Sequence, residues 1–384
     1  MSSNNQDMLV TKTPEMDPQT AKVLFEQGAM FIIVDFPEGA EFGIDYNSWT
    51  VGSNFKGVKM IPPGIHFISF SSVDTDGQFG PRTGFFFNFA AKEIVVRQWN
   101  VKIEGLSDQP VSGEELERFE SNREELDRFL GPYPYDKYKQ WVSLTSHINQ
   151  DVLNLLQPDG SIIYSVAQFE SEASTTQSRR AAAVEEQDMD SESASKSKKP
   201  KLPKLKNVAG TKIKYTRIPK KKYPDGATPA EISKYSLDSS YTLNLVLSER
   251  FHKDINNLLG EVQYAFVCFL IGQNYDSFEQ WKKLVQLLCT SGDAITQYPE
   301  AFLSFISILH FQIREIPSDF FVDIVTSNNF LTATLHELFQ NLLGDQVDPK
   351  LRKKGLSFQK HLTDKFKWDF TSEPDDFAPV IVDC

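Results

Sequence analysis

The stretch from Glu170 to Asn207 constrains this chain more than any other. Most of it reads "SEASTTQSRRAAAVEEQDMDSESASKSKKPKLPKLKN". It carries few large apolar side chains, so burial there cannot offset the entropy of ordering the backbone, and a disordered linker is expected over 170–207. Whatever folds must fold on either side of it. A length of 384 residues is a soft prior of roughly two to three domains. The 40% hydrophobic content with 30 Phe supplies material for real cores.

The two sides follow different hydrophobic periods. Before the linker, "MFIIVDF", "GIHFISFSSV", "RTGFFFNFA" and "EIVVRQW" are short runs rich in Phe, Ile and Val. Turn chemistry bounds them at Pro37-Glu38-Gly39, Pro62-Pro63-Gly64 and Asp74-Thr75-Asp76-Gly77. Five or more strands at this spacing predict an antiparallel sandwich or barrel-like domain. Helices flank it. "DPQTAKVLFEQG" has Asp17 as an N-cap, Pro18 at the first helical position and Gly28 to end it. "SGEELERFESNREELDRFLG" aligns Leu116, Phe119, Leu126, Phe129 and Leu130 on one stripe. "GPYPY" breaks that pattern, because a proline disfavours helix at the residue before it. "YKQWVSLTSHINQDVLNLL" then resumes helical spacing.

After the linker, "TKIKYTRIP" is a possible single strand and the rest is helical. "TPAEI" is a capping box in which Thr228 and Glu231 satisfy each other's backbone amides. Stripes at helical period follow, such as Ile255, Leu258, Leu259, Val262, Phe266 and Phe269, and Phe278, Trp281, Leu284, Val285 and Leu288. Successive amphipathic helices with short polar breaks predict a bundle or helical superhelix. The fold class is therefore α+β. We expect a disordered N-terminus at 1–14, a β-rich domain with terminal helices at 15–169, the linker at 170–207, an all-α domain at 208–370 and an acidic, extended tail at 371–384.

Composition narrows function. A net charge of −12 and a pI near 5.1 oppose direct binding to phosphate backbones. The three cysteines, Cys268, Cys289 and Cys384, are odd in number and widely spaced, which suits a reducing intracellular compartment. No apolar segment follows "MSSNNQDMLVTK", so no secretory signal is expected. "YAFVCFLIG" is about half the ~20 residues a spanning helix needs, so no membrane association is expected.

A reaction centre in the first half would draw on Asp45 or Glu41 as base, with Tyr46 and His66. In a strand-rich domain such residues are more often turn formers and edge polars, and no recognised motif supports catalysis. Asp45 and Asn47 are expected to bond backbone amides in a turn. Tyr46 and Trp49 are expected to cap a core, and with His66 they are candidates for a docking face. The six histidines, His66, His147, His252, His310, His336 and His361, form no HxxxH or Cys-paired set, so no metal is expected. Glycine-rich nucleotide loops and a GxSxG elbow are absent, so no cofactor is expected.

In the linker, Lys198, Lys199 and Lys201 form a candidate nuclear import signal, and Ser191 and Ser193 are candidate phosphorylation sites. At the end of the chain an acidic hinge, Glu373 to Asp376, precedes Phe377 and Pro379-Val380-Ile381-Val382. A β-branched run with no sheet of its own can add as a strand to a partner's sheet edge.

"FPEGAEFG", "EFGIDYNSW", "GVKMIPPGIHF", "FLGPYPY", "YPDGATPAEI", "EVQYAFVCFLIG", "IPSDFFVDIV" and "FKWDF", in this order from about Met16 to Phe377, resemble the AAR-two splicing-factor family. The order of all of them over nearly the whole chain is specific, although each alone is modest. The resemblance implies a non-enzymatic assembly factor of the U-five small nuclear ribonucleoprotein, found in cytoplasm and nucleus and monomeric before binding. It implies binding to the Prp-eight scaffold at its RNase H-like and MPN-type domains, which keeps the Brr-two helicase from binding early. It also implies a VHS-like helical domain and a tail that threads between the two partner domains, a role that Phe377 to Val382 fit. The competing reading is a VHS-like trafficking adaptor for acidic peptides or membranes, resting on the pairs Lys282-Lys283 and Lys353-Lys354.

Overall fold

The computed structural model describes residues 18–74, 76–107, 111–168, 208–316 and 330–370. The expected disordered N-terminus, linker and tail all lie outside the described residues, as does Asp17. Two compact units emerge, one from residues 1–80 and 86–146, the other from residues 81–85 and 147–384. The fold class is α+β, with strands concentrated in the first unit and helices in the second.

In the first unit, helix α1 (Pro18–Gln27) ends as expected before Gly28, whose amide bonds Leu24 O at 2.8 Å. Strands β1 (Ala29–Val34), β4 (Gly57–Ile61), β7 (Ile94–Asn100), β8 (Gly105–Leu106) and β9 (Leu130–Pro132) form one sheet in the order β8-β7-β1-β4-β9. Strands β2 (Glu41–Ile44), β3 (Asn47–Thr50), β5 (Gly64–Ser71) and β6 (Thr83–Phe89) are consecutive in the other, in the order β6-β5-β2-β3.

The strands at "MFIIV", "GIHFISFS", "TGFFFNF" and "IVVRQW" stand where the periodicity put them. Their direction departs from a purely antiparallel arrangement. β2 pairs antiparallel with β3 and β5, but β1 runs parallel to β7 and β4 parallel to β9. The cause is connectivity. Strands of the other sheet intervene between β1 and β7, and such a long crossover lets neighbours run the same way, which a tight hairpin cannot.

β1 is buried on both faces, which explains its unbroken apolar run. Met30 and Ile32 pack with Val96, Leu126 and Leu130 beneath helices α2 (Gly113–Ser121) and α3 (Arg123–Leu126). Phe31 faces the other way, its ring 6.0 Å from Phe42 of β2 and 6.4 Å from Phe89 of β6. Trp99 of β7 reaches across to Phe70 of β5 at 5.4 Å. Each such buried ring contributes about 1.5–3 kcal/mol.

"YKQWVSLTSHINQDVLNLL" does not form one helix. α4 (Tyr138–Thr145) closes the first unit, and α5 (Gln150–Leu156) begins anew in the second. Asn149 starts it by accepting from Val152 N at 2.9 Å, a side-chain cap that competes with helix continuation.

The second unit continues with α6 (Pro229–Leu237), α7 (Ser240–Arg250), α8 (Ile255–Leu270), α9 (Tyr275–Cys289), α10 (Gly292–Gln297), α11 (Pro299–Glu315), α12 (Phe330–Leu342) and α13 (Pro349–Phe366). The capping box at Thr228 and Glu231 forms as expected. α8 lies at the centre, buried from Leu258 through Cys268. Within this unit the short strand β10 (Ile163–Tyr164) pairs antiparallel with Thr83 and Gly84. "TKIKYTRIP" is not a strand. It crosses the helices in an irregular path, because helix side chains rather than a neighbouring strand satisfy its backbone. Thr216 N donates to Glu261 Oε1 at 2.9 Å, and Gln280 Nε2 donates to Thr216 O at 2.9 Å.

Candidate functional site

"FGIDYNSW" folds as a hairpin. β2 and β3 flank a two-residue turn at Asp45 and Tyr46, with Ile44 opposite Asn47 and Phe42 opposite Trp49. Asp45 takes φ 53°, a left-handed conformation that Asp tolerates better than most residues. Its amide donates to Phe67 O at 2.8 Å, and its Oδ1 accepts from Phe67 N at 2.9 Å. The turn is thereby tied to β5. The amide that Asp45 bonds is not the expected one in its own turn but that of Phe67, 22 residues on.

Asp45 and His66 do come together. Asp45 Oδ2 lies 2.7 Å from His66 Nδ1 and accepts from the Tyr133 hydroxyl at 2.6 Å. His66 Nε2 lies 2.8 Å from Pro62 O. A carbonyl can only accept, so Nε2 carries a proton. The imidazole is 1% exposed and Asp45 3%. Trp141 lies nearly parallel to the imidazole at 6.3 Å and fixes its own indole on Ile65 O at 2.9 Å, while Tyr133 and Phe89 meet the ring edge-on. Burial, followed by the Asp45 charge, drives the Tyr133 hydroxyl far above the usual phenol range.

This arrangement has the composition of an acid–base centre and the connectivity of a structural one. Both Asp45 oxygens accept bonds, both His66 nitrogens face protein acceptors, and no open face is left for a substrate atom. What it does is hold the hairpin, β5 and the Tyr133 loop in one register. His66 is therefore an interior residue, not a surface one, and the docking face drawn through it is corrected by its burial. Of the other two residues drawn there, Tyr46 is half-buried and Trp49, on an edge strand, is 39% exposed.

Tyr133 and Trp141 carry no functional signal in the sequence. "GPYPY" reads as a helix break, and nothing in its spacing says that its first tyrosine will meet a carboxylate 88 residues away. Phe377, Pro379, Val380, Ile381 and Val382 of the tail lie outside the described residues, as do Ser191, Ser193, Lys198, Lys199 and Lys201. Among the described residues, no group of three or more His, Cys, Asp or Glu could hold a metal ion. No helix there is long and apolar enough to cross a membrane. Cys268 and Cys289 are fully buried, and burial pushes both thiols well above their ordinary range, away from the thiolate that ligation or attack requires.

Comparison with known proteins covers both units. Residues 27–158 match a family model described as the AAR2 N-terminal domain, and residues 215–371 match one described as the AAR2 C-terminal repeat region. Protein AAR2 homolog of Homo sapiens is 45% identical over 373 residues, spanning 96% of this chain and 97% of its own. Protein AAR2 homolog of Caenorhabditis elegans is 36% identical over 369 residues, with 93% and 99% spanned. The A1 cistron-splicing factor AAR2 of Saccharomyces cerevisiae is 26% identical over 310 residues, with 79% and 81% spanned.

Proposed function

Because the chain belongs to the AAR2 family, we propose that it is a pre-mRNA splicing factor that acts without catalysis, as an assembly factor of the U-five small nuclear ribonucleoprotein. Its partner is the Prp-eight scaffold, bound through the RNase H-like and MPN-type domains, and its effect is to delay binding of the Brr-two helicase. It works in cytoplasm and nucleus. One observation carries this reading: identity at 45% runs through nearly the full length of both this chain and its human relative. A likeness of that extent concerns a whole architecture and not one borrowed domain. The name of the yeast relative, a cistron-splicing factor, supplies the process. The internal use of every side-chain polar atom of Asp45 and His66 supports a role in shape rather than turnover.

The tail residues Phe377, Pro379, Val380, Ile381 and Val382 are proposed to add as a strand to the scaffold, where backbone bonds give affinity and alternate side chains give selectivity. The test is co-purification of this chain with the scaffold's RNase H-like and MPN-type domains. A stable one-to-one complex that excludes the helicase is expected. No complex at micromolar concentration overturns the reading.

A further inference from the structure

Helices α11 and α13 enclose a groove of about 500 Å³ whose floor is Ile306, Phe311 and Phe358. Lys350, Lys353 and Lys354 rise from one side, and His310 and His361 stand together with ring centres 4.8 Å apart. Among the described residues no carboxylate lines it. The nearest acid paired with these lysines is Glu300, 3.9 Å from Lys350 on the open surface. Among the described residues Lys354 meets no anion; it donates to Ser307 Oγ at 2.5 Å. Burial first, and then the proximity of His361, Arg314, Lys365 and Lys354, hold His310 below its ordinary range. Burial and then Lys350 lower Lys354 in the same way. An apolar floor beside lysines that, among the described residues, meet an acid only at the exposed Lys350–Glu300 pair suits a ligand that is both acidic and apolar.

A segment of that chemistry follows α13 in the sequence. The described chain leaves α13 through Trp368 and Phe370, and the Phe370 ring lies 4.9 Å from Phe339, which in turn meets the groove residue Phe358 at 6.0 Å. Next in the chain comes "TSEPDDFAPVIVDC", with Glu373, Asp375 and Asp376 followed by Phe377 and the β-branched run. Ten extended residues reach about 33 Å. The axis of α13 from Lys350 to His361 covers about 17 Å. The geometry points to an intramolecular contact: we propose that in the unbound protein residues 373–382 lie in the groove between α11 and α13, acids on Lys350, Lys353 and Lys354, and Phe377 on the floor. The proposal does not rest on the scaffold reading. Where both hold, the segment is stored on its own helical unit and is released when a partner sheet takes it.

The test uses the full chain and its own chemistry. Cys268 and Cys289 are fully buried, so a nitroxide thiol reagent is directed to Cys384. We expect paramagnetic broadening of the His310 and His361 imidazole signals. We expect it to be lost in the Lys353→Glu, Lys354→Glu variant and independently in Asp375→Lys, Asp376→Lys, which leaves the described helices untouched. It should also weaken when salt rises from 0.1 M to 1 M and the screening length falls from about 10 Å to about 3 Å. Unbroadened histidines in the parent chain overturn the proposal. Broadening indifferent to both charge reversals overturns it too. Equal broadening of an unlabelled chain mixed with a nitroxide-bearing one would make a second copy the occupant, and also overturns it.

Discussion

Tyr133 donates to a carboxylate that already faces an imidazole and a backbone amide, all of them inside the first unit. Removing the hydroxyl leaves that buried charge one donor short. Tyr133→Phe should therefore lower unfolding free energy by about 1.5–3 kcal/mol, measured by urea denaturation, although it deletes a single atom. Glu261 poses the reverse problem in the second unit. It is 0% exposed, and burial raises its carboxyl above the ordinary range despite bonds from Thr216 and Gln280. A raised carboxyl binds its proton more tightly folded than unfolded. Its contribution to stability is thus full below the unfolded value near ~4.3 and is lost as pH climbs through the folded value. Glu261→Gln copies the protonated form. Its melting temperature should track the parent's near pH ~4 and exceed it by pH ~7; a parent that gains on the variant as pH rises would contradict this.

At the scale of elements, caps and close approaches decide the packing of helices. Asp348 opens α13 by accepting from Lys350 N at 2.9 Å and Leu351 N at 3.0 Å. Asp348→Ala should cost about 1 kcal/mol in the same denaturation experiment. Gly260 lies inside α8 where α5 begins. A Cβ there would come within 2.5 Å of His147 O and 2.7 Å of Val152 Cγ2. Alanine would gain up to about 1 kcal/mol of helix propensity, but a backbone carbonyl cannot rotate out of the way. Overpacking wins, and Gly260→Ala should destabilise by about 1–3 kcal/mol. Gly57 is a harsher case. Its φ of 138° and the 1.9 Å approach of a built Cβ to Phe31 O leave room for glycine alone between β4 and β1.

For the whole molecule, the question is whether the final residues belong to a core or to a partner. The large aromatics that each unit buries lie among the described residues: Phe31, Phe42, Phe67 and Trp141 in the first, Tyr264, Phe266, Trp281 and Phe302 in the second. Truncation after Thr371 should lower the melting temperature by no more than about 4 °C, the shift of ~1 kcal/mol for a domain of this size. Scaffold binding in the co-purification assay should fall by at least tenfold. A much larger thermal loss would place the tail inside the protein's own core.

Strands at "MFIIV" and "TGFFFNF", the capping box at Thr228 and the helical stripes after Ile255 were legible in one dimension. Their causes are local: hydrophobic period, β-branching and turn chemistry act within a few residues. Motif order was legible too, and with it the family. Strand direction was not, because β1 and β7 meet only after the intervening strands have been placed elsewhere. Neither was the Asp45–His66–Tyr133 network, whose members look catalytic until their burial and hydrogen-bond partners are known. The sequence alone determined which segments become strand or helix; the tertiary structure decided which polar side chains are used up internally and which cations are left facing a groove, since both depend on contacts between residues far apart in the chain.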